Sequence, residues 1–302
     1  MGSLRLGTRA SKLARWQSDW VADRLRSLGH AVEIVEIQTS GDAQQVGPIG
    51  AIGATGVFTK EIQRALLDRR VDLAVHSLKD LPTAAIDGLR LAAVPPREGI
   101  RDALVSRCAG SLDSLPEGAS VGTGSFRRKA QLLHRRPDFR VLDLRGNVDT
   151  RLRKLDEGQY DAILLAEAGL RRLGFADRIT QAIPADVLLP APGQGALGIE
   201  CRADDDATAA TLAALNDPPT RAVVDAERAA LRHLEGGCLA ALGAWARVES
   251  DRLRLSVVVL SEDGRQRLSE EETGASGEGA SLGVVVADKL ISRGARELLR
   301  PR

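Results

Sequence analysis

The chain has 302 residues, of which 43% are hydrophobic and 27% are charged, and its formal net charge is +1. That length suggests about two globular domains, and the near-zero net charge argues against a general nucleic-acid-binding protein. No apolar run approaches the roughly 20 residues that cross a bilayer, and the first residues lack the apolar core of a secretory signal. Three scattered cysteines are too few for a disulfide framework, so we expect reduced thiols and a cytoplasmic location.

The N-terminal part of the chain alternates strands with helices, which predicts a mainly parallel α/β sheet. Leu4 and Leu6 begin a strand, and apolar residues at helical spacing then continue to Gly29. Arg9 and Ser11 lie between that strand and that helix, where free backbone amides favour an anion. A plain helix N-cap is at least as common a role for a serine such as Ser11, so both interpretations stay open.

The stretch 71–82 reads V-D-L-A-V-H-S-L-K-D-L-P and predicts a buried strand with a polar tip. Ligands of open α/β sheets bind outside the carboxyl ends of the strands, so Lys79 and Asp80 are candidates for the chemistry. The alternative is that they form a solvated pair in a turn. Pro82 favours an extended exit from the turn at Leu81.

A second α/β unit is predicted after the Pro95-Pro96 break, and its residues 121–178 carry 13 Lys and Arg against 8 Asp and Glu. Small residues ending at Ser125 precede a helix that begins near Arg127, and they offer backbone amides and a hydroxyl to an anion. Further arginines follow the next two strands: Arg145, Arg151 and Arg172. Because arginine grips carboxylates and phosphates in a two-pronged fork, we infer a small polyanion as the partner. Solvated arginines on helix faces are the alternative.

The stretch 189–201 contains a second Pro/Gly-rich crossing, and its residues 197–200 are predicted as a strand that rejoins the first sheet. Two crossings between two α/β units predict a two-lobed binding protein with its ligand in the cleft between the lobes. Paired glycines later end a helix and place Cys238 on a loop, where a thiol near basic residues is nucleophilic. A small buried hydrophobic residue is the commoner role of a lone cysteine and is the alternative for Cys238. We interpret Cys108 and Cys201 in that way.

The C-terminal part is predicted as a small α+β domain with strands at 244–248 and 253–260, a polar acidic loop at 269–279 and a closing helix from Ser281. The predicted fold is therefore α/β, with two lobes like those of periplasmic binding proteins and this third domain. The expected domain bounds are 1–95 plus 196–213 for the first lobe, 101–189 for the second lobe and 218–302 for the C-terminal domain.

Five motifs, in this order and spacing, resemble those of the porphobilinogen deaminase (hydroxymethylbilane synthase) family: H-S-L-K-D-L-P, G-T-G-S-F-R-R, L-R-G-N-V-D-T-R, P-A-P-G-Q-G-A-L-G-I-E-C-R and L-E-G-G-C. The resemblance runs essentially from end to end. It implies a three-domain transferase of tetrapyrrole and heme biosynthesis, with a dipyrromethane cofactor held by a thioether to Cys238. It also implies head-to-tail condensation of four porphobilinogen molecules, with loss of ammonia each time, to give hydroxymethylbilane.

The resemblance further implies roles for individual residues. Asp80 would be catalytic, because a fixed carboxylate stabilises the cationic azafulvene that remains when ammonia leaves, and can take or hold protons. The residues implied to bind the cofactor are Cys238, Lys79, Ser125, Arg127 and Arg128. The residues implied to bind substrate carboxylates or line the cleft are Arg9, Ser11, Arg145, Arg151, Arg172 and Gln194.

One segment departs from the family pattern. The glycine-rich loop at 47–56 ends in G-A-T-G, followed by V-F, where the family usually reads G-G-K-G-L-F, so Thr55 stands where a lysine is expected. If that lysine helps to close a lid, the lid contact here is weaker or another residue supplies it. The segment also lacks the P-loop lysine, which argues against a nucleotide cradle.

Two other classes of protein are alternatives for a chain with these residues. A non-catalytic two-lobed carboxylate-binding protein would use the same arginines, but it needs neither Cys238 nor a carboxylate such as Asp80 among them. A phosphate-handling transferase is disfavoured by the missing P-loop lysine, and the four dispersed histidines show no zinc spacing. We therefore expect porphobilinogen as the partner, no metal, no nucleic acid and no membrane, in a monomer.

Overall fold

The computed structural model describes residues 2–38, 59–237 and 240–300. The chain divides into two compact units: unit 1 is Met1–Arg97 with Ala196–Arg221, and unit 2 is Glu98–Gly195 with Ala222–Arg302. Two of the three boundaries, after Arg97 and after Gly195, fall at the predicted Pro/Gly-rich crossings, and the third, after Arg221, does not. Unit 2 contains the residues expected for the second lobe and, apart from 218–221, those expected for the C-terminal domain. The bounds expected for three domains stay a prediction.

The described elements confirm the mixed α/β class. The strands are β1 Leu4–Thr8, β2 Val32–Glu36, β3 Leu73–Ser77, β4 Leu89–Ala93, β5 Asp102–Ser106, β6 Ser120–Gly122, β7 Arg140–Leu142, β8 Ala162–Ala166, β9 Gln181–Ile183, β10 Leu197–Arg202, β11 Leu242–Glu249, β12 Arg252–Leu260 and β13 Arg267–Ala275. The α-helices are α1 Lys12–Ser27, α2 Lys60–Leu67, α3 Phe126–Arg135, α4 Val148–Asp156, α5 Glu167–Arg172, α6 Asp206–Ala213, α7 Pro218–His233, α8 Gly279–Ile291 and α9 Ala295–Leu299. Short 3-10 turns are Leu78–Asp80, Ala176–Arg178 and Ser276–Glu278.

The sheet of unit 1 has the strand order β2-β1-β3-β10-β4. β1 runs parallel to β2 and β3, whereas β10 runs antiparallel to β3 and β4. The prediction that the strand after the second crossing rejoins the first sheet is therefore confirmed. Leu6, Leu25, Leu73 and Ile199 are fully buried in one core between this sheet and α1. Central strands covered on both faces read as apolar runs, and all six residues of β10 are buried.

The sheet of unit 2 repeats this arrangement with the order β7-β6-β8-β5-β9. β6 runs parallel to β7 and β8, whereas β5 runs antiparallel to β8 and β9. Each sheet thus receives, as its fourth strand, the first strand after a crossing: β10 in unit 1 and β5 in unit 2. The sequence did not predict β9, a three-residue edge strand that is followed directly by Pro184.

The C-terminal domain has an antiparallel sheet of β11, β12 and β13. The acidic loop expected at 269–279 is wrong, since most of that segment is the edge strand β13, paired along its length with β12. Its carboxylates are tolerated there because cations from neighbouring elements pair with them: Arg254 and Arg247 with Glu271, and Arg293 with Glu270. Hydrogen bonds from Arg254 and Ser256 lower the pKa of Glu271 to about 2.

Within unit 2, this domain packs on α3 and on the segment around Leu189. A buried cluster joins Ala130 and Leu189 to Ala241, Val258 and Leu260. The His134 Nδ1 donates to the Gly264 carbonyl at 2.9 Å across the same contact. None of the helices in the described ranges is both long and apolar enough to span a membrane.

Candidate functional site

Asp80 is exposed in the 3-10 turn that follows β3 at the carboxyl end of the unit 1 sheet. The turn is anchored by Leu78, which is buried and donates its backbone N–H to the Ala196 carbonyl at 3.0 Å. Leu81 then leaves in an extended conformation with φ −80° and ψ 122°, as the following proline predicted. The prediction that Lys79 and Asp80 lie at the tip of a buried strand is therefore confirmed, and Lys79 is half-buried.

Buried polar side chains support the end of β3 that leads into this turn. From α1, Gln17 donates its side-chain amide to the Ser77 hydroxyl at 2.8 Å. His76 lies 3.0 Å from the Glu200 carboxylate of β10, and Gln63 of α2 donates to the same oxygen at 3.0 Å. These supports could not be predicted from the sequence, because each joins residues that are far apart in the chain.

The junction between β1 and α1 holds Arg9 and Ser11, both half-buried. Ser11 is the N-cap of α1, and its hydroxyl accepts from the Ala14 N–H at 3.4 Å. The simpler of the two interpretations of Ser11 is thus present in the structure. Binding of substrate by Arg9 and Ser11 stays a prediction.

The junction between β6 and α3 in unit 2 has the same local design. Ser125 is the N-cap of α3 and accepts from the Arg128 N–H at 3.4 Å. Arg127 and Arg128 lie in the first turn of α3, and both side chains are buried. Instead of reaching solvent, both guanidiniums bind the carboxylate of Asp102, the first residue of β5.

Asp102, Arg127, Arg128 and Gln194 form a buried group that we name the Asp102 cluster. Asp102 Oδ2 accepts from Arg127 Nη1 at 2.7 Å, while Oδ1 accepts from Arg127 Nη2 at 3.1 Å and from Arg128 Nε at 2.9 Å. The Gln194 side-chain amide donates to Oδ1 at 2.9 Å and to the Ile100 carbonyl at 2.8 Å. The sequence therefore named three of the four members and missed the carboxylate that joins them.

The cluster holds two guanidiniums against one carboxylate, and Asp102 is 0% exposed. Burial raises the pKa of Asp102, but the two arginines outweigh burial and hold that pKa well below its usual range. The cluster therefore carries one excess positive charge in a region where water screens it poorly. Arg127 and Arg128 also donate to the Leu189 and Leu164 carbonyls at 2.6 and 3.0 Å, which fixes their orientation.

The other predicted arginines of unit 2 are half-buried at two places. Arg145 pairs with Asp143 at 3.0 Å, and Arg151 donates to the Gly146 carbonyl at 2.7 Å, so both belong to the junction between β7 and α4. Arg172, at the end of α5, donates to the Gly195 carbonyl at 2.7 Å. Burial lowers the pKa of the Arg172 guanidinium from its ordinary value.

Gly195 sits where the two crossings touch within unit 2. Its φ is +85°, and a Cβ at this position would collide with the carbonyl oxygens of Glu98 and Gly99. Only glycine fits such a backbone conformation and approach without strain. Arg172 and Gln194 are thus brought together through neighbouring residues of the second crossing.

The cysteines divide into three cases. Cys201 is buried, which confirms its interpretation as a small hydrophobic residue, whereas Cys108 is exposed, so the same interpretation of Cys108 is wrong. Cys108 lies two residues beyond the end of β5. Its backbone N–H donates to the Ser106 hydroxyl at 3.2 Å. Cys238 and Thr55 lie outside the described residues.

Two family models match the chain. The dipyromethane cofactor binding domain of porphobilinogen deaminase matches residues 4–210, and the C-terminal domain of porphobilinogen deaminase matches residues 222–292. A porphobilinogen deaminase of Brevibacillus brevis is 47% identical over 302 residues, covering 99% of this chain and 97% of the relative. The enzyme of the same name from Pelotomaculum thermopropionicum is 49% identical over 299 residues, covering 98% and 96%.

Among solved structures, the methionine binding protein MetQ aligns with 70% of this chain and 89% of its own chain, at TM-score 0.46 and 13% identity. The sequence relatives are far closer and define the class of protein: the chain is an enzyme, a transferase that uses a dipyrromethane cofactor. It belongs to the porphobilinogen deaminase family.

Proposed function

We propose that the protein acts as a hydroxymethylbilane synthase. Four porphobilinogen molecules would be condensed head to tail on a covalent dipyrromethane cofactor, with loss of ammonia at each step, and hydrolysis would release the linear tetrapyrrole. The observation that carries the proposal is the exposed carboxylate of Asp80 on a fixed turn at the carboxyl end of the unit 1 sheet. A protein that only binds carboxylates has no use for such a group.

Asp80 is suited to the step in which ammonia leaves. A positive charge develops on the substrate at that moment, and a carboxylate held in place stabilises it without reorganisation. The same carboxylate can accept or return a proton at the reacting ring. The turn keeps Asp80 in place because Leu78 is buried and because Gln17 holds the preceding Ser77.

The arginines of unit 2 are suited to the anionic part of the substrate. Porphobilinogen carries an acetate and a propionate, so every added unit brings two carboxylates. The excess positive charge of the Asp102 cluster attracts such groups, and arginine binds them in a forked geometry. Arg145, Arg151 and Arg172 supply further guanidiniums that are only half-buried.

The described residues fit a cofactor that itself bears carboxylates, because the buried arginine pair is only partly neutralised by Asp102. When bound, the dipyrromethane supplies the two pyrrole rings to which new units are added. Attachment to Cys238 rests on the match of L-E-G-G-C to the family motif. We further propose the three domains expected from the sequence, a monomer, and action in the cytoplasm.

The intact mass of the denatured protein tests this function. We expect an adduct of two linked pyrrole units that is lost in Cys238→Ser and kept in the control variant Cys108→Ser, which removes a solvent-exposed cysteine. A bare chain that gains no mass from porphobilinogen or hydroxymethylbilane, and consumes no porphobilinogen, would instead identify a carboxylate-binding protein.

A further inference from the structure

One carboxylate joins three separate segments of unit 2. Asp102 begins β5 directly after the first crossing, Arg127 and Arg128 come from the first turn of α3, and Gln194 comes from the second crossing. Its Oδ1 also lies 2.7 Å from Arg128 Nη2, so this oxygen receives hydrogen bonds from all three partners. Removal of this one group would take a hydrogen-bond partner from three side chains at once, leaving Arg127, Arg128 and Gln194 with the backbone carbonyls to which they also donate.

A second carboxylate of unit 2 provides an internal comparison. Glu167 of α5 is 1% exposed and is likewise paired with two arginines, Arg101 at 2.9 Å and Arg171 at 2.8 Å. These two arginines are 45% and 46% exposed, whereas Arg127 and Arg128 are 4% and 6% exposed. Glu167 therefore binds arginines at the protein surface, whereas Asp102 binds and orients arginines in the interior.

We propose that Asp102 is the positioning residue for the cofactor-binding arginines, fixing the planes of Arg127 and Arg128 and the amide of Gln194. This inference rests on the proposed function, in which Arg127 and Arg128 bind the cofactor carboxylates. A neutral residue at 102 would leave two adjacent buried guanidiniums without a counter-charge, and they would separate. A carboxylate of the cofactor could then bind neither guanidinium in the forked, two-hydrogen-bond geometry.

Asp102 also sets the charge that the cofactor meets. With Asp102 present, the Arg127 and Arg128 pair keeps one positive charge, which attracts one carboxylate. Without Asp102, an entering carboxylate must both neutralise the pair and replace the hydrogen bonds that held it together. Entry of the cofactor should therefore slow even where the fold survives.

The test compares Asp102→Asn with Glu167→Gln, each made as apoprotein in a host that cannot make porphobilinogen. Circular dichroism first identifies a temperature at which wild type and both variants are folded. Each protein is then incubated with porphobilinogen, and the intact mass of denatured samples gives the rate at which the cofactor adduct forms. We expect Glu167→Gln to load at the wild-type rate and Asp102→Asn to load up to about 100-fold more slowly, as for a misplaced binding group.

The outcomes separate the two proposals. Loading of folded Asp102→Asn at the wild-type rate, or equal slowing in Glu167→Gln, would overturn the positioning role and leave the function standing. Failure of the wild type to gain any adduct would overturn the function, and this inference with it. If Asp102→Asn does not fold, Asp102→Glu replaces it: the charge is kept, the carboxylate moves by one methylene, and wild-type loading by this variant would overturn the role.

Discussion

The two five-stranded sheets share strand order and direction, yet they present opposite chemistry at corresponding places. β3 in unit 1 and β8 in unit 2 both lie between a parallel neighbour and an antiparallel one. β3 leads into the turn with the exposed carboxylate of Asp80, whereas β8 leads into α5, whose Glu167 is buried between two arginines. The topology thus fixes where a carboxylate stands, and its surroundings decide whether that carboxylate can act on a substrate.

The β1–α1 junction of the first sheet and the β6–α3 junction of the second sheet differ in a similar way. Ser11 and Ser125 both cap a helix and accept from the N–H three residues on, each at 3.4 Å. The arginine near Ser11 precedes the helix and is half-buried, whereas Arg127 and Arg128 lie inside the helix and are buried. A pair of equivalent caps therefore presents two different arrangements of positive charge.

The largest expected effect is the loss of turnover in Asp80→Asn. We expect porphobilinogen consumption to fall by about 10³-fold, within the range for removal of a group that handles both protons and developing charge. Fold and cofactor content should be unchanged, because Asp80 is exposed. Initial rates, a melting curve and the intact mass measure all three.

The matched control for this variant is Asp87→Asn, which changes another exposed carboxylate of unit 1. It should retain wild-type turnover. Near-normal activity of Asp80→Asn would remove Asp80 from the mechanism and with it the functional contrast between the two sheets.

We expect Glu167→Gln to have the opposite effect to Asp80→Asn: stability should fall, and the folded enzyme should keep its turnover. Loss of one member of a buried ion pair costs about 3–5 kcal/mol, and we expect about 2–4 kcal/mol here because both arginines stay half-exposed to water. Urea unfolding at pH 7 measures this difference. Loss of turnover without loss of stability would show that Glu167 takes part in the chemistry.

The difference in the free energy of unfolding between wild type and Glu167→Gln should depend on pH. Burial raises the pKa of Glu167, but hydrogen bonds and charge from Arg101 and Arg171 outweigh burial and lower it below its ordinary 4.5. As the pH falls, Glu167 is therefore protonated in the unfolded chain before it is protonated in the folded protein. The stability that the ionised Glu167 contributes is complete above pH 4.5 and is lost as the pH falls through the lower pKa of the folded state. Repeated urea titrations from pH 7 to pH 3 should show wild type and Glu167→Gln converging, and a constant difference would contradict this.

The smallest effect concerns the two helix caps. Ser11→Ala and Ser125→Ala should each lower the free energy of unfolding by about 1 kcal/mol, because each removes one capping hydrogen bond. We expect equal losses, measured by urea unfolding at one pH. A much larger loss for either variant would show that the two junctions are less alike than their hydrogen bonds indicate.

Sequence reasoning succeeded where local patterns decide the structure. An apolar run located β3, the Pro/Gly-rich crossing located β10, and Pro82 correctly predicted the extended exit at Leu81. It failed on β13, because acidic residues on an edge strand resemble a solvated loop until the arginines of neighbouring elements are known. Asp102 was missed because its partners are 25, 26 and 92 residues away along the chain. A carboxylate at the start of a buried strand, in a basic segment, was the one signal available.

The placement of β10 also has a consequence for biosynthesis of the chain on the ribosome. β10 pairs with β3 on one side and β4 on the other, so the first sheet is incomplete until residues 197–202 have been translated. At bacterial-like elongation rates, the roughly 100 residues between β4 and β10 take about 5–20 s to add. All five strands of the second sheet are made within that interval. Of the two five-stranded sheets, the one that is begun first is therefore completed last, and a fragment ending near residue 97 would lack the strand that joins β3 to β4.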